Sequence, residues 1–119
     1  MPAHPGPPAD YLPLHPLEFR ILMVLMKGRS HGYAIVQEIE SREKALKRIY
    51  SANLYRRIRD LLARHLREDA DPPAGGADDP RRRYFQITEL GREVAAAEAG
   101  RLRGLVTEAR ARGLLSANG

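Results

Sequence analysis

The stretch that decides the fold is SANLYRRIRDLLARH, residues 51–65, which has the pattern of a short helix with two unlike faces. Apolar residues recur at spacings of three and four, so they share one side of the helix, while polar residues occupy the rest. Ser51 or Asn53 can cap the first turn with a side-chain oxygen. This pattern fits an ordinary surface helix as well as one that contacts a polyanion. The apolar set is Leu54, Ile58, Leu61 and Leu62, and the polar set is Tyr55, Arg56, Arg59 and Arg64.

Positive charge is concentrated around this stretch. Residues 42–67 contain nine Lys and Arg and two acids, a local net charge of +7, whereas the whole chain of 119 residues carries +5. Because the positive charge is concentrated in one segment, the chain favours an anionic partner, either nucleic acid or a membrane surface. Charge alone does not separate these two partners.

The remaining composition excludes several classes of protein. The chain has no cysteine, which rules out disulfides and thiol catalysis. The longest apolar run, residues 21–26, is too short to span a bilayer, and the N-terminus lacks a signal pattern. There is no nucleophile motif, no glycine-rich phosphate loop and no metal-ligand spacing among the histidines. We therefore expect a cytoplasmic protein that is not an enzyme and uses no metal or cofactor.

The sequence pattern of the N-terminal half of the chain predicts helices that support this central helix. Residues 1–13 are rich in proline and are predicted to be a disordered arm. A first helix is predicted over residues 14–28, ending at a glycine, and a second over residues 31–42 with Ser30 as its candidate cap. Residues 48–50 are predicted to form a brief strand before the central helix.

The C-terminal half predicts a hairpin followed by a long helix. Residues 66–70 and 81–87 favour two strands around a tip of turn-forming residues, and the second strand begins with three arginines. Thr88 is expected to cap a helix that continues to about Gly113. This helix is long for a small monomer, and its apolar stripe predicts a homodimer. The residues expected at the dimer interface are Leu102, Leu105, Val106 and Ala109.

This order of elements predicts a mainly α winged helix-turn-helix with an added C-terminal helix. The DNA-binding domain is assigned to residues 14–87, the dimerisation helix to residues 88–114 and a tail to residues 115–119. In such a domain the third helix lies in the major groove of DNA and the hairpin, or wing, reaches the backbone beside it.

Three motifs of this chain resemble those of the PadR-like family of bacterial transcriptional regulators. They are HGY at residues 31–33, LY at residues 54–55 and DPRRRYFQITELG at residues 79–91. The resemblance covers about residues 14–112. It implies a homodimer that binds a roughly palindromic operator in double-stranded DNA, usually as a repressor. In some members a small-molecule effector in a cavity at the dimer centre releases the DNA, and which effector this chain would bind is unknown.

The residues expected to contact DNA lie on the third helix, around it and in the wing. Arg56 and Arg59 are candidates for guanine edges, because arginine can donate a pair of hydrogen bonds there, although either can sit on phosphate instead. Lys44, Lys47, Arg81 and Arg82 are expected on phosphates. The resemblance adds Tyr33 and Tyr55, and Ser51 and Asn53 complete the predicted set.

Two positions depart from the family pattern. The family commonly ends the third helix with glycine where this chain has His65, and Asn53 stands where threonine is frequent. Tryptophan, which some relatives use to stack a planar aromatic effector, is absent, so that ligand class is not expected. The alternative to DNA binding is a winged-helix adaptor that docks an acidic protein with the same basic face.

Overall fold

The computed structural model of the protein describes residues 6–42, 47–73, 79 and 81–116, except for the side chains of residues 47–52. Four α-helices and one three-stranded antiparallel sheet form this part of the chain, which confirms the predicted winged helix-turn-helix. The elements in chain order are a 3-10 helix Pro8–Tyr11, α1 Pro16–Leu25, β1 Ser30–His31, α2 Gly32–Arg42, α3 Lys47–Ala63, β2 Arg67–Ala70, β3 Tyr84–Ile87 and α4 Glu89–Ala111.

The N-terminal arm packs on the domain. The predicted disorder is wrong for residues 8–11, because their 3-10 helix lies against α4. Proline suits the first position of such a helix, and the apolar side chains of Tyr11 and Leu12 pack against the hydrophobic core. The backbone N–H of buried Leu14 donates to the carboxylate of Glu98 in α4, over 3.4 Å. Residues 1–5 of the predicted arm lie outside the described residues.

Helix α1 is the centre of the core. It begins with Pro16, and a reciprocal capping arrangement fixes its first turn. The Nδ1 atom of His15 accepts a hydrogen bond from the Leu17 amide, and the Glu18 carboxylate accepts one from the His15 amide. Gly28 follows α1 with a φ of 143°, a conformation that suits glycine.

The cap of α2 differs from the prediction. His31, rather than Ser30, caps this helix, because its Nδ1 accepts a hydrogen bond from the Ala34 amide over 3.2 Å. Ser30 and His31 form β1, which pairs with Phe85 and Tyr84 of β3. The wing is thereby attached to the start of α2.

Helix α3 begins earlier than predicted, at Lys47, so the predicted strand over residues 48–50 is wrong. No glycine or proline interrupts residues 47–63, and the helix extends by about one turn. Leu54, Ile58 and Leu61 are buried as predicted, but Leu62 is 41% exposed. Leu62 lies about 100° around the helix from Leu61, beyond the edge of the buried stripe.

The strands and the last helix largely follow the sequence pattern. The sheet order is β1-β3-β2, with Arg67 opposite Ile87 and Asp69 opposite Phe85. Both hairpin strands are shorter than predicted, because Leu66 and residues 81–83 lie outside the sheet. The Thr88 cap of α4 is confirmed, since its Oγ1 accepts a hydrogen bond from the Gly91 amide over 2.9 Å.

Two left-handed residues end the helices. His65, after α3, has a φ of 61°, in the left-handed region that favours glycine. Gly113 ends α4 with a φ of 80°.

Candidate nucleic-acid interface

The outward face of α3 carries exposed polar side chains. Asn53, Tyr55, Arg56 and Arg59 are all exposed, on the side opposite the buried leucines and Ile58. Among the described residues, no carboxylate forms a salt bridge with Arg56 or Arg59. These two guanidinium groups therefore keep their hydrogen-bond donors and charge for a partner in solution.

The three arginines at the base of the wing have different surroundings. Arg81 is held by Asp79, with 3.1 Å between Nη2 and Oδ2, and this hydrogen bonding lowers the pKa of the Asp79 carboxyl. Arg83 pairs with Asp69 at 2.8 Å. Arg82 turns towards α2, where its guanidinium lies 5.6 Å from the ring centre of Tyr33. Arg82 thus connects the wing to the start of α2.

A cleft of about 590 Å³ lies between the start of α2, helix α3 and the wing. Four of the predicted DNA-binding residues line it, which brings together side chains from three separate elements. Ile58 and Leu62 form part of its apolar wall, and this position accounts for the exposure of Leu62. The four predicted residues are Tyr33, Tyr55, Arg59 and Arg82.

Two other arginines are used inside the domain. Arg67 is buried, its Nε donates to the backbone oxygen of Ile58 over 2.7 Å, and its guanidinium lies 3.9 Å from the ring centre of Phe85. Burial lowers the pKa of Arg67. Arg64, expected on the polar face of α3, bonds to the buried carboxylate of Glu18 at 3.0 Å. These contacts fix α3 against the wing and against α1.

The other predicted DNA contacts are only partly described. Arg81 is strongly exposed at the wing. Lys47 and Ser51 lie within α3, although their side chains are outside the described part, and Lys44 lies outside the described residues altogether. Sequence reasoning missed His31, whose Nε2 lies 3.2 Å from the Arg82 guanidinium. Its HGY motif was the available signal.

The predicted dimer residues lie on the C-terminal half of α4. Leu102 is half-buried beside Phe19 and Met23 of α1, along a recess of about 300 Å³. Leu105 is 51% exposed and Val106 is 40% exposed. The described chain therefore leaves the end of the apolar stripe open to solvent.

Comparison with protein families identifies the domain. The profile described as "Transcriptional regulator PadR-like family" matches residues 21–97, which include the second half of α1, all of α2 and α3, the wing and the start of α4. The chain belongs to the PadR-like family. Its assignment as a transcriptional regulator rather than an enzyme, and the resemblance seen in its three motifs, are thereby confirmed.

Solved structures of PadR-like and other regulators share the fold. A transcriptional regulator from Clostridium thermocellum is similar with a TM-score of 0.64 and 20% identity, over 91% of this chain and 93% of that one. A PadR-like transcriptional regulator from Bacillus cereus is similar with a TM-score of 0.65 and 19% identity, over 84% of this chain and 92% of that one. The adhesin competence repressor of Streptococcus pyogenes is similar with a TM-score of 0.57 and 21% identity, over 92% of this chain and 74% of that one. No curated protein matches the chain at a significant level.

Membrane-spanning helices and metal-ion clusters are both absent from the described residues. None of the helices found there combines the length and the apolar composition needed to cross a membrane. The same residues contain no group of three or more His, Asp or Glu placed to hold a metal ion.

Proposed function

We propose that this PadR-like protein is a sequence-specific DNA-binding repressor that acts in the cytoplasm as a homodimer on an inverted-repeat operator. The observation that carries the proposal is the exposed face of α3, which presents Tyr55, Arg56 and Arg59 beside a cleft that Arg82 of the wing also lines. A helix of this kind fits the major groove, and a wing beside it reaches the DNA backbone.

Within this proposal the arginines divide into two roles. Arg56 and Arg59 read base edges, because exposed guanidinium groups on the outer face of a groove-binding helix can donate two parallel hydrogen bonds to guanine. Arg81 and Arg82 contact phosphates, which adds affinity and salt dependence without reading sequence. Lys44, Lys47, Ser51 and Asn53 are further proposed DNA contacts, on the basis of the sequence pattern.

The dimer is proposed from the exposed apolar side chains of α4. Leu105 and Val106 follow Leu102 along one side of the helix, and Ala109 continues the same side by one turn. Pairing with the same surface of a second copy would bury this stripe in an isologous interface. A two-fold dimer presents two reader helices, which is why the operator is proposed to be an inverted repeat.

The test of DNA binding is selection of bound sequences from random duplex DNA at fixed salt. We expect enrichment of an inverted repeat. Arg56→Glu and Arg59→Glu should each weaken binding to the selected duplex at least tenfold, while Arg92→Glu, a reversal of an exposed charge on α4, should have little effect. If the α3 reversals left affinity and salt dependence unchanged, DNA recognition by α3 would be refuted and the adaptor function favoured.

Light scattering at micromolar concentration tests the dimer. We expect the mass of two chains for the wild type and of one chain for the double variant Leu105→Glu/Val106→Glu. Charges placed on both exposed apolar positions should prevent burial of the stripe. A monomeric wild type would refute the dimer without bearing on whether one α3 helix contacts DNA.

A further inference from the structure

The cleft between the start of α2, helix α3 and the wing is lined by more apolar surface than DNA contact requires. Its volume of about 590 Å³ lies within the range of small-molecule sites, about 300–1,000 Å³. Buried Ile58 and Phe85 form its floor. Its walls include three large side chains that are 41–51% exposed, namely Leu62, Tyr33 and Tyr55. Protein–DNA interfaces are generally polar, so this recess suits an occupant that has an apolar part.

The charge of the cleft favours an occupant that is also anionic. The described residues that line it include four arginines and no aspartate or glutamate. Arg67 donates to the backbone oxygen of Ile58, and Arg83 pairs with Asp69 at 2.8 Å. Arg59 is exposed, and in the described part of the chain no carboxylate forms a salt bridge with it. The guanidinium of Arg59 can therefore pair with an anionic group in the cleft.

Helix α3 places the apolar wall and this charge side by side. Tyr55, Arg59 and Leu62 follow one another at spacings of four and three, so they form one stripe that faces the cleft. Side chains at these spacings have Cβ atoms about 5–6 Å apart. On the facing side Gly32 leaves room for the Tyr55 ring, because a Cβ there would lie 3.4 Å from Cε1 of Tyr55. The arrangement suits a molecule whose charged group is attached directly to an apolar body.

We infer that this cleft binds a small amphipathic organic anion, with its apolar body against Leu62 and the tyrosine rings and its anionic group on Arg59. Tyr55 and Arg59 are also proposed DNA contacts, so the bound anion and DNA exclude each other. This regulatory consequence rests on the proposed DNA binding, whereas the binding site itself does not. An anion in the cleft releases DNA by direct competition for the same side chains.

The first test measures binding of a fluorescent amphipathic anion, 8-anilino-1-naphthalenesulfonate, to the full-length protein without DNA. We expect saturable binding of one dye per chain. Leu62→Gln should weaken it about fivefold, because it removes apolar contact while keeping the size of the side chain. Leu114→Gln makes the same change at a leucine that is 77% exposed outside the cleft, and should have no effect. Equal dye affinity of the wild type and Leu62→Gln, or a loss in Leu114→Gln instead, would overturn the inference.

The second test examines the anionic group with a neutral analogue. N-phenyl-1-naphthylamine has the same rings as the first dye and lacks the sulfonate. Arg59→Gln should weaken binding of the sulfonate dye about tenfold and change binding of the neutral dye less than about twofold. Arg56→Gln removes an exposed charge that does not line the cleft, and should leave both affinities unchanged. Equal losses for the two dyes in Arg59→Gln, or the same loss in Arg56→Gln, would overturn the assigned role of Arg59.

Displacement of the bound sulfonate dye shows which apolar body the cleft accepts. Octanoate and 2-naphthoate are both amphipathic anions, one with an aliphatic chain and one with a ring system. We expect at least one of them to displace the dye, and the one that does so at lower concentration identifies the preferred body. The neutral alcohol 1-octanol should displace it poorly. Failure of both acids, or equal displacement by 1-octanol and octanoate, would overturn the inference.

Competition with DNA tests the regulatory consequence. In filter binding with a duplex that the wild type binds, the apparent Kd for DNA should rise in proportion to the concentration of the sulfonate dye, without a plateau. A ligand at a separate site would instead give a plateau, because its coupling to DNA binding is finite. Leu62 is not a proposed DNA contact, so Leu62→Gln should bind DNA like the wild type and require about fivefold more dye for the same effect.

The outcomes of this experiment separate the two proposals. A plateau, or an unchanged Kd for DNA at saturating dye, would overturn the inferred exclusion while leaving DNA binding by α3 intact. A protein that bound no duplex would refute the proposed function, and the dye titrations would still decide whether the cleft is an anion site.

Discussion

Substitution of Gly91 tests the packing between α4 and the wing. A Cβ atom added at Gly91 would overlap the carbonyl oxygen of Leu66 and lie 2.8 Å from Cγ1 of Ile87. The Leu66 carbonyl cannot easily withdraw, because it accepts a hydrogen bond from the Thr88 amide and Leu66 itself is fully buried. Gly91→Ala must therefore move the start of α4 away from β2 and β3.

The expected cost of Gly91→Ala combines two effects. Overpacking of a tight contact costs about 1–3 kcal/mol, and loss of the hydrogen bond from Thr88 to Leu66 adds roughly 1 kcal/mol. We expect the free energy of unfolding to fall by about 2–4 kcal/mol, measured by chemical denaturation, with a decrease in Tm of roughly 10 °C.

Gly100 provides a matched control in the same helix. A Cβ added at Gly100 meets nothing within 4 Å, and the residue lies on the side of α4 opposite the apolar stripe. Gly100→Ala should stabilise the protein by about 0.5–1 kcal/mol, because alanine favours helix interiors. The same substitution is thus expected to lower the free energy of unfolding at Gly91 and to raise it at Gly100. An unchanged midpoint for Gly91→Ala would refute the argument from close packing.

Three further predictions concern the ends of helices. His65→Gly should raise the free energy of unfolding by about 0.5–1 kcal/mol, because glycine adopts a φ of 61° without strain; a lower denaturation midpoint would contradict this. Burial, reinforced by the nearby charge of Arg57, lowers the pKa of His15 from its ordinary 6.5. The unfolded chain therefore binds this proton more tightly, and stability should fall as pH decreases through and below about 6.5. The loss of stability at low pH should be smaller in His15→Asn than in the wild type. Identical pH profiles of Tm for the two proteins, measured by thermal denaturation, would contradict this expectation. Arg64→Ala should cost about 2 kcal/mol, because it leaves the buried Glu18 carboxylate without its cationic partner, although the partial exposure of Arg64 limits the loss; an unchanged urea midpoint would show that the pair is not stabilising.

Local patterns in the sequence were sufficient to predict those features of the fold that local interactions determine. The cap at Thr88, the glycine ends at Gly28 and Gly113 and the buried face of α3 each depend on residues within a few positions along the chain. The start of α3 was misjudged because β-favouring residues at 48–50 can also continue a helix when no breaker is present. Residues 8–11 were misjudged because their order depends on packing against α4, which is distant in sequence.

The candidate site was predictable in residue type but not in geometry. The spacing of arginines on a helix and their concentration in the wing indicated an anion-binding surface. The sequence pattern could not show which of Arg81, Arg82 and Arg83 would face α2. Their neighbours Asp79, His31 and Asp69 are set by the register of the sheet and by the turn before it. The histidine beside Arg82 was hidden for the same reason, since β1 pairs with a strand more than fifty residues away.

The charge of the basic segment does not all face outward. The local net charge of +7 over residues 42–67 includes Arg64 and Arg67, yet Arg64 is paired with Glu18, and Arg67 is buried between Ile58 and Phe85. These two side chains position α3 against α1 and the wing, so replacing them would disturb the reader helix through the fold. Arg56 and Arg59 are exposed and paired with no described carboxylate, so a change of charge at these positions tests the proposed DNA binding while the packing remains intact. A loss of binding in variants of Arg64 or Arg67 would instead report on the orientation of α3, so Arg56 and Arg59 are the better positions for separating the proposed recognition from folding.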